Sequence, residues 1–328
     1  MRAAIFEDIK KIVYKEDYPK PEVSSDSAIV KVYYCGICGS DISNFKYKFY
    51  QTPLIMGHEF AGVITEIGEN VANLGFKIGD KVTGINPVID IDKDVPKHIG
   101  IIKDGAFAEF VEVNKDYLYK IPENVSYKDA TLIESFAAVE RALKLSNIPN
   151  EQKIMIIGGG NMGLATLIVL LAKKNPKYVM VVEPHEFLRE IANDLGASIT
   201  QLPNRVKINK FFRKNGKPSF IFECVGNESA LNMAIDSIKK GGTIVLLGVQ
   251  RQKIPFPIFS MTLKEICLLG TWGHDREDIL ASIDFFAKSK IDLSKFLSKI
   301  IPLKDIQQGF EEYLKPGERR FVKILVKI

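Results

Sequence analysis

The chain holds 328 residues, 46% of them hydrophobic and 26% charged, with a formal net charge of +5. That length suits two domains, and that composition suits a folded globular protein rather than a disordered or fibrous one. Lysines and glutamates are interleaved along the chain, which argues against a nucleic-acid-binding stripe and leaves room for an anionic small-molecule ligand.

The N-terminal stretch MRAAIFEDIKKIVYKED is charged from the start and has no signal-peptide core. The longest apolar run, Met162 to Ala172, is too short to span a bilayer, so a cytoplasmic protein with no membrane attachment is expected. Residues 1–20 read as two short strands joined by a polar turn. Ser27 to Tyr34, SAIVKVYY, has the β-branched and aromatic content of a strand. It leads into YCGICGSD, which ends at Asp41, and then into an aromatic, lysine-rich stretch over 43–54 expected to be a loop. MGHEFAGVITEIG follows, ending at Gly68, and its second half has a strand pattern. Cys38, His58 and Glu59 offer a thiolate, an imidazole and a carboxylate, donor types that hold zinc. The glycines beside them let the backbone turn tight corners. Cys35 and Cys38 also form a CxxC, a redox pattern whose usual setting, a strand running into CxxC at a helix start, is not clear from the sequence. Cys224 and Cys267 lie in apolar runs and are expected to be small buried hydrophobes.

Leu74 to Gly84 reads as a turn and a strand, with Gly79-Asp80 at the turn. Residues 86–104 carry no cysteine and are expected to form a short hairpin or irregular loop, with His98 exposed to solvent. Strand alternation resumes from Asp104 to Val113. Residues 125–145 read as helix, with Ser126 as N-cap.

At Lys153 the period changes. KIMII is a short, wholly apolar run, as expected of a parallel strand buried on both faces. It enters GGGNMG and then a helix to about residue 174. Tyr178 to Glu183, Ser219 to Gly226, TIVLLGV and Ile266 to Trp272 read as further strands. Helices are expected at HEFLREIANDLGA, with Gly196 as its stop, and over 228–239. This strand–helix alternation indicates a doubly wound α/β sheet. Two amphipathic helices, REDILASIDFFAKSK and LKDIQQGFEEYLK, and a closing strand over Arg319–Ile328 complete the chain.

Gly158, Gly160 and Gly163 form a GxGxxG between a strand and a helix, the context in which it binds a dinucleotide. Asn161 and Met162 would offer the helix's first N–H groups to the phosphates. Glu183, at the end of the next strand, can accept hydrogen bonds from the adenosine ribose hydroxyls and repel a 2′-phosphate, which favours NAD. His185 and Arg189 lie just beyond and keep NADP open.

Gly57, His58, Glu59, Gly62 and Gly68 resemble the GHExxGxxxxxG signature of zinc-containing medium-chain dehydrogenases, and GICGSD resembles the other half of that family's site. With the GxGxxG, the chain is similar over essentially its whole length to the alcohol dehydrogenase superfamily, most of all to its polyol, threonine and sugar branch. The resemblance implies an α/β protein with a GroES-like, mostly-β catalytic domain over 1–135, completed by 274–328. A doubly wound parallel-sheet Rossmann domain is implied over 136–273, with the active site in the cleft. It implies one catalytic zinc held by Cys38 and His58. The third protein ligand is either Glu59, which could instead sit behind the metal, or Glu134. Glu134 lies in LIES where the polyol branch has LIEP, so Ser135 departs from the pattern. A structural zinc is not expected, because 86–104 lacks the four cysteines that hold one in relatives.

By the same resemblance, Asp41 orients the ligating imidazole and Ser40 passes the substrate proton outward. The histidine that commonly ends this relay is replaced by Ser43, leaving water, the ribose or Ser43 to finish it. Cys224, Val225, Leu247, Gly248 and Val249 line the nicotinamide side. Phe45, Phe49 and Phe136 either wall the substrate pocket or belong to the core. The implied function is zinc-dependent hydride transfer between an alcohol, polyol or sugar and NAD(P). Two other readings stand beside it: a metal-independent reductase of quinone-reductase type and a non-enzymatic nucleotide sensor. A homodimer or homotetramer is implied, with the apolar strand Ile266–Leu269 as a joining edge.

Overall fold

The chain opens as the expected strand pair, β1 (Ala3–Asp8) and β2 (Lys11–Lys15), antiparallel from Ala3↔Lys15 onward. The structure is a computed structural model that describes residues 1–86, 98–249, 253–297 and 299–328. β3 (Ser27–Gly36) follows. The stretch after it, expected to be a loop, is instead helix α1 (Gly39–Tyr47) through most of its first half. Its buried side chains are Asp41, Asn44 and Phe45, so two polar residues face inward and hide the apolar period. Asn44 earns its burial by accepting from Phe49 N and Tyr50 N, both at 2.8 Å, which turns the chain after the helix.

Next come β4 (Leu54–Ile55), β5 (Glu59–Ile67), α2 (Glu69–Asn73) and β6 (Lys81–Gly84). The hairpin or irregular loop expected over 86–104 falls largely on residues 87–97, outside the described residues. β7 (Phe110–Asn114) starts later than the alternation from Asp104 suggested, and β8 (Leu118–Lys120) follows it. Ser126 is the N-cap of α3 (Tyr127–Ala130) and accepts from Asp129 N. The single helix expected over 125–145 is broken there, and α4 (Ile133–Ser146) carries the remainder.

The second half alternates strand and helix. Its elements are β9 (Lys153–Ile157), α5 (Asn161–Lys173), β10 (Tyr178–Val182), α6 (Glu186–Asp194), β11 (Ile199–Gln201) and α7 (Arg205–Asn215). They continue with β12 (Phe220–Glu223), α8 (Glu228–Ser237), β13 (Thr243–Leu246), α9 (Ile258–Lys264) and β14 (Cys267–Gly270). The chain closes with α10 (Arg276–Lys288), β15 (Lys299–Pro302), α11 (Ile306–Leu314) and β16 (Ile324–Lys327).

Two units result. The first comprises 1–134, 275–317 and 323–328, the second 135–274 and 318–322. In the first, strands run in the order β15-β16-β3-β5-β6-β8, with β7 also on β3. The closing strand β16 pairs antiparallel with β3. In the second, β11-β10-β9-β12-β13-β14 form one parallel sheet, the doubly wound order that reverses direction beside its first strand. Every residue of β10 is buried, and so is all of β9 after Lys153, which is why both read as unbroken apolar runs. Met155, Met180, Ile221 and Ile244 meet in the core on one face of this sheet. Cys267 lies on the edge strand β14 and is exposed, not buried as its apolar neighbours suggested; Cys224 is half-buried. Among the described residues no helix is long and apolar enough to cross a membrane.

Candidate functional site

Two groups of the expected residues are assembled, one in each unit. In the first unit, β3 ends at Gly36 and α1 begins at Gly39, so Cys38 caps the helix. The Asp41 carboxylate accepts from Cys38 N at 3.0 Å and ties the CGSD corner together. β5 runs antiparallel to β3 with Gly36 opposite Glu59, which sets His58 and Glu59 beside that corner. Gly57, at φ +97°, makes the approach; a Cβ there would also sit 2.9 Å from Cys35 Sγ. β16 joins β3 with Leu325 opposite Gly36, and Lys323, just before it, forms a buried ion pair with Glu59 Oε2.

The distances within this group are short. Ser40 Oγ lies 3.4 Å from His58 Nε2. His58 Nδ1 lies 3.6 Å from Asp41 Oδ1, too long for a hydrogen bond but close for two charges. The Cys38 thiol hydrogen-bonds His58, and the Tyr50 phenol hydrogen-bonds Ser40. Glu134 lies near enough to act electrostatically on Cys38, Asp41, His58 and Glu59. Phe45 and Phe136 are core residues, and Phe49 is exposed.

The electrostatics have one sign. Burial raises the Cys38 thiol, and Glu59 and Glu134 raise it further against the opposing pull of His58. Burial raises Asp41, with His58 opposing. Burial also raises Glu59, with Lys323 opposing and Glu134 reinforcing. Burial alone would lower His58, yet Asp41, Cys38 and Glu134 together hold it well above the usual imidazole range. Each acid resists losing its proton and the base resists giving one up, so the pocket is short of positive charge. Glu59 Oε1, Asp41 Oδ1 and His58 Nδ1 are buried with no hydrogen-bond partner. Among the described residues no three His, Cys, Asp or Glu side chains converge into a ready-made metal cage. A soft thiolate, an imidazole and orphaned carboxylate oxygens in a cation-poor pocket nevertheless fit a divalent metal such as zinc.

The strand–CxxC–helix setting that the sequence left unclear is present at Cys35–Cys38. Both cysteines are free, however, and Cys35 is fully buried, its thiol pushed up by burial first and then by Asp41 and Glu59. A buried, protonated thiol is a poor nucleophile.

In the second unit, Gly158, Gly160, Asn161, Met162 and Gly163 form the turn from β9 into α5. A Cβ on Gly163 would run into the Gly158 carbonyl, so the helix start packs directly on the turn. Glu183 directly follows β10 and is buried; Oε2 accepts from Gly159 N at 2.6 Å and Oε1 from His185 N at 3.0 Å. A carboxylate has about four acceptor sites, so ribose hydroxyls can still be received. Cys224 and Val225 follow β12, and Leu247, Gly248 and Val249 follow β13, at the carboxyl ends of strands flanking the switch point. Val225 and Val249 are exposed there.

Three contributors went unread in the sequence. Glu223 is buried, accepts from Val225 N at 2.7 Å and Gly226 N at 2.9 Å, and shapes the turn after β12. Tyr50 sits in the aromatic, lysine-rich stretch over 43–54 that was read only as loop. Lys323 had a signal, a single charge inside the apolar run FVKILV.

Residues 24–123 match the family profile described as an alcohol dehydrogenase GroES-like domain, and residues 163–288 match the zinc-binding dehydrogenase profile. D-xylulose reductase of Saccharomyces cerevisiae is 29% identical, covering 89% of this chain and 88% of that protein. An alcohol dehydrogenase of Geobacillus stearothermophilus is 28% identical, covering 96% of each. The crystal structure of a zinc-binding dehydrogenase from Sinorhizobium meliloti, bound to NADP, superposes with a TM-score of 0.89 at 26% identity, covering 100% of this chain and 99% of that one.

Proposed function

The chain belongs to the zinc-binding alcohol dehydrogenase family, with a GroES-like domain and a six-stranded Rossmann sheet, and from that membership we propose that it oxidises a polyol, sugar or simple secondary alcohol with NAD as hydride acceptor. The observation that carries the reading is the cation-poor pocket of Cys38, His58, Glu59 and Glu134. Cys38, His58 and Glu134 would hold the metal. The buried ion pair with Lys323 supports a place for Glu59 behind the metal rather than on it. A zinc ion bound there supplies Lewis acidity to the alcohol oxygen, and a bound nicotinamide supplies the hydride acceptor.

The remaining work falls to the chain's own groups. Ser40 Oγ, beside His58 Nε2, takes the substrate hydroxyl proton and hands it to Tyr50 or to Ser43 and water. Asp41 orients His58. The Glu183 carboxylate receives the adenosine ribose and disfavours a 2′-phosphate, so NADH binds at least about tenfold more tightly than NADPH. The names of the relatives support a sugar or alcohol substrate. Four unpaired cysteines suit the reducing cytoplasm in which we place the enzyme.

The test is metal content and NAD⁺ reduction over a panel of polyols, sugars, threonine and secondary alcohols. About one zinc per chain is expected, and Cys38→Ser should lose both the zinc and at least about a hundredfold in turnover. Glu134→Ala should release zinc whereas Glu59→Gln should retain it, and the opposite result would reassign the third ligand. The absence of a ready-made cage among the described residues favours a second reading, a metal-independent reductase of the same fold. Wild type that reduces carbonyls while binding no zinc would establish that reading instead.

A further inference from the structure

The lysines that are interleaved with acids along the sequence are not interleaved in space. Five of the six strands of the second unit begin level with one another. Lys153 of β9 lies opposite Tyr178 of β10 and Ile154 opposite Phe220 of β12; Phe220, Thr243 and Cys267 then follow in register across β12, β13 and β14. The turns that lead into these strands are joined by backbone bonds. Glu151 N donates to Asn175 O at 2.7 Å, Lys177 N to Gln152 O at 2.9 Å and Ser219 N to Lys153 O at 2.8 Å. Lys239 N donates to Pro218 O at 3.0 Å and Gly241 N to Lys264 O at 2.8 Å. The amino end of the sheet is therefore one continuous surface, roughly 24 Å across its six strands at the usual spacing. It lies at the opposite end of the strands from the glycine turn.

This surface gathers positive charge. The last turns of α4 to α9 and the connections after them hold ten lysines and arginines and four acids, a surplus of six in a chain whose whole surplus is five. Lys177, Lys214, Lys217, Lys239 and Lys240 among them are exposed. From outside these segments Glu140 answers Lys173 at 2.6 Å and Arg205 answers Asp236 at 2.9 Å, so the surplus stands. Lys217 Nζ and Lys264 Nζ both donate to Asp236 O, at 3.1 and 3.0 Å. Burial and then Lys217 lower the proton affinity of the Lys264 ammonium, as crowded positive charge does. A basic residue at a helix C-terminus complements the helix dipole, but α5 and α7 with their connections carry three each, more than that purpose requires.

The shape and chemistry of the surface select among polyanions. Its aromatic residues, Tyr178 and Phe212, are buried, so it offers no ring for a base to stack on. It presents helix ends, not a helix flank that could enter a nucleic-acid groove. A broad, level, lysine-rich face of this kind matches a planar array of anionic headgroups. We propose that the amino end of the second unit's sheet binds the surface of an anionic phospholipid bilayer and holds the protein there peripherally. Among the described residues no helix could cross that bilayer, so the attachment is by surface charge.

Co-sedimentation of the full chain tests it, using vesicles of phosphatidylcholine alone or mixed with phosphatidylglycerol, at low and high salt. Wild type should bind the anionic vesicles only, and should leave them at high salt. Near such a surface each basic residue contributes about fivefold to the partition. Lys177→Gln with Lys214→Gln and Lys239→Gln should therefore weaken binding by about 100-fold, and Lys214→Gln alone by about fivefold. A control with the same change in net charge takes three exposed lysines of the first unit, Lys15→Gln with Lys31→Gln and Lys304→Gln, and should lose no more than about threefold. Thermal melts like those of wild type show that the variants fold. Wild type that binds neither vesicle, or binds both equally, overturns the inference, and so does an equal loss in the control. Tighter binding of an RNA homopolymer than of the anionic vesicles, lost in the same triple variant, also overturns it, because the partner would then be a nucleic acid.

Discussion

Lys323 is 1% exposed and its ammonium faces Glu59 inside the first unit. Burial alone would lower its proton affinity, but Glu59 and then Cys38 raise it instead. A buried pair of this kind adds little net stability compared with apolar residues, yet breaking it strands one charge. Lys323→Met should therefore cost about 3–5 kcal/mol in urea unfolding of the metal-free protein, whereas Glu59→Gln with Lys323→Met should cost distinctly less than the sum of the single variants. An additive double variant would mean the two charges do not act as a pair. Gly36 belongs to the same unit of design, since a Cβ there would stand 2.8 Å from Glu59 Oε2.

At the scale of elements, the turn from β9 into α5 depends on close packing of backbone on backbone. Gly163→Ala should lower stability by about 1–3 kcal/mol and weaken NADH binding together, because the helix start must move off the Gly158 carbonyl. A variant that melts and binds like wild type would show that the turn has slack. This element was fully legible beforehand: a short apolar strand, a glycine turn and an apolar helix are specified by neighbouring residues. α1 was not, because Asp41 and Asn44 occupy its inward face and accept from backbone N–H groups where apolar side chains would be expected. The split of α3 from α4 was equally hidden, since no proline or glycine marks it.

At the scale of the whole molecule, β14 is the last strand of the six-stranded sheet, with no further strand paired to its outer edge among the described residues. Beside it in sequence, Ile258, Phe259, Leu263 and Trp272 are 68, 78, 65 and 63% exposed. Large exposed apolar side chains beside a terminal strand are the features expected of a surface that pairs with a second copy. Light scattering should find a dimer or tetramer, and Phe259→Asp with Leu263→Asp should shift it toward the monomer; a wild-type monomer at working concentration would refute the surface. Chelation should lower the melting temperature of the loaded protein and zinc should restore it, because a metal that binds only the folded state stabilises it.

The amino-acid sequence by itself determined the strand and helix alternation of the second unit, the glycine turn with Glu183 beyond it, and the cluster of donors at Cys38, His58 and Glu59. Those features rest on steric and hydrogen-bonding rules that act between near neighbours. The tertiary structure alone decided that Lys323 answers Glu59, that Tyr50 reaches Ser40, and that Arg319 stands beside the glycine turn from β9 into α5. These partners meet through contacts made only after folding, such as the placement of β3 between β5 and β16 and the docking of 318–322 on the β10–α6 turn. No local pattern encodes which distant residue a sheet or a loop will bring alongside.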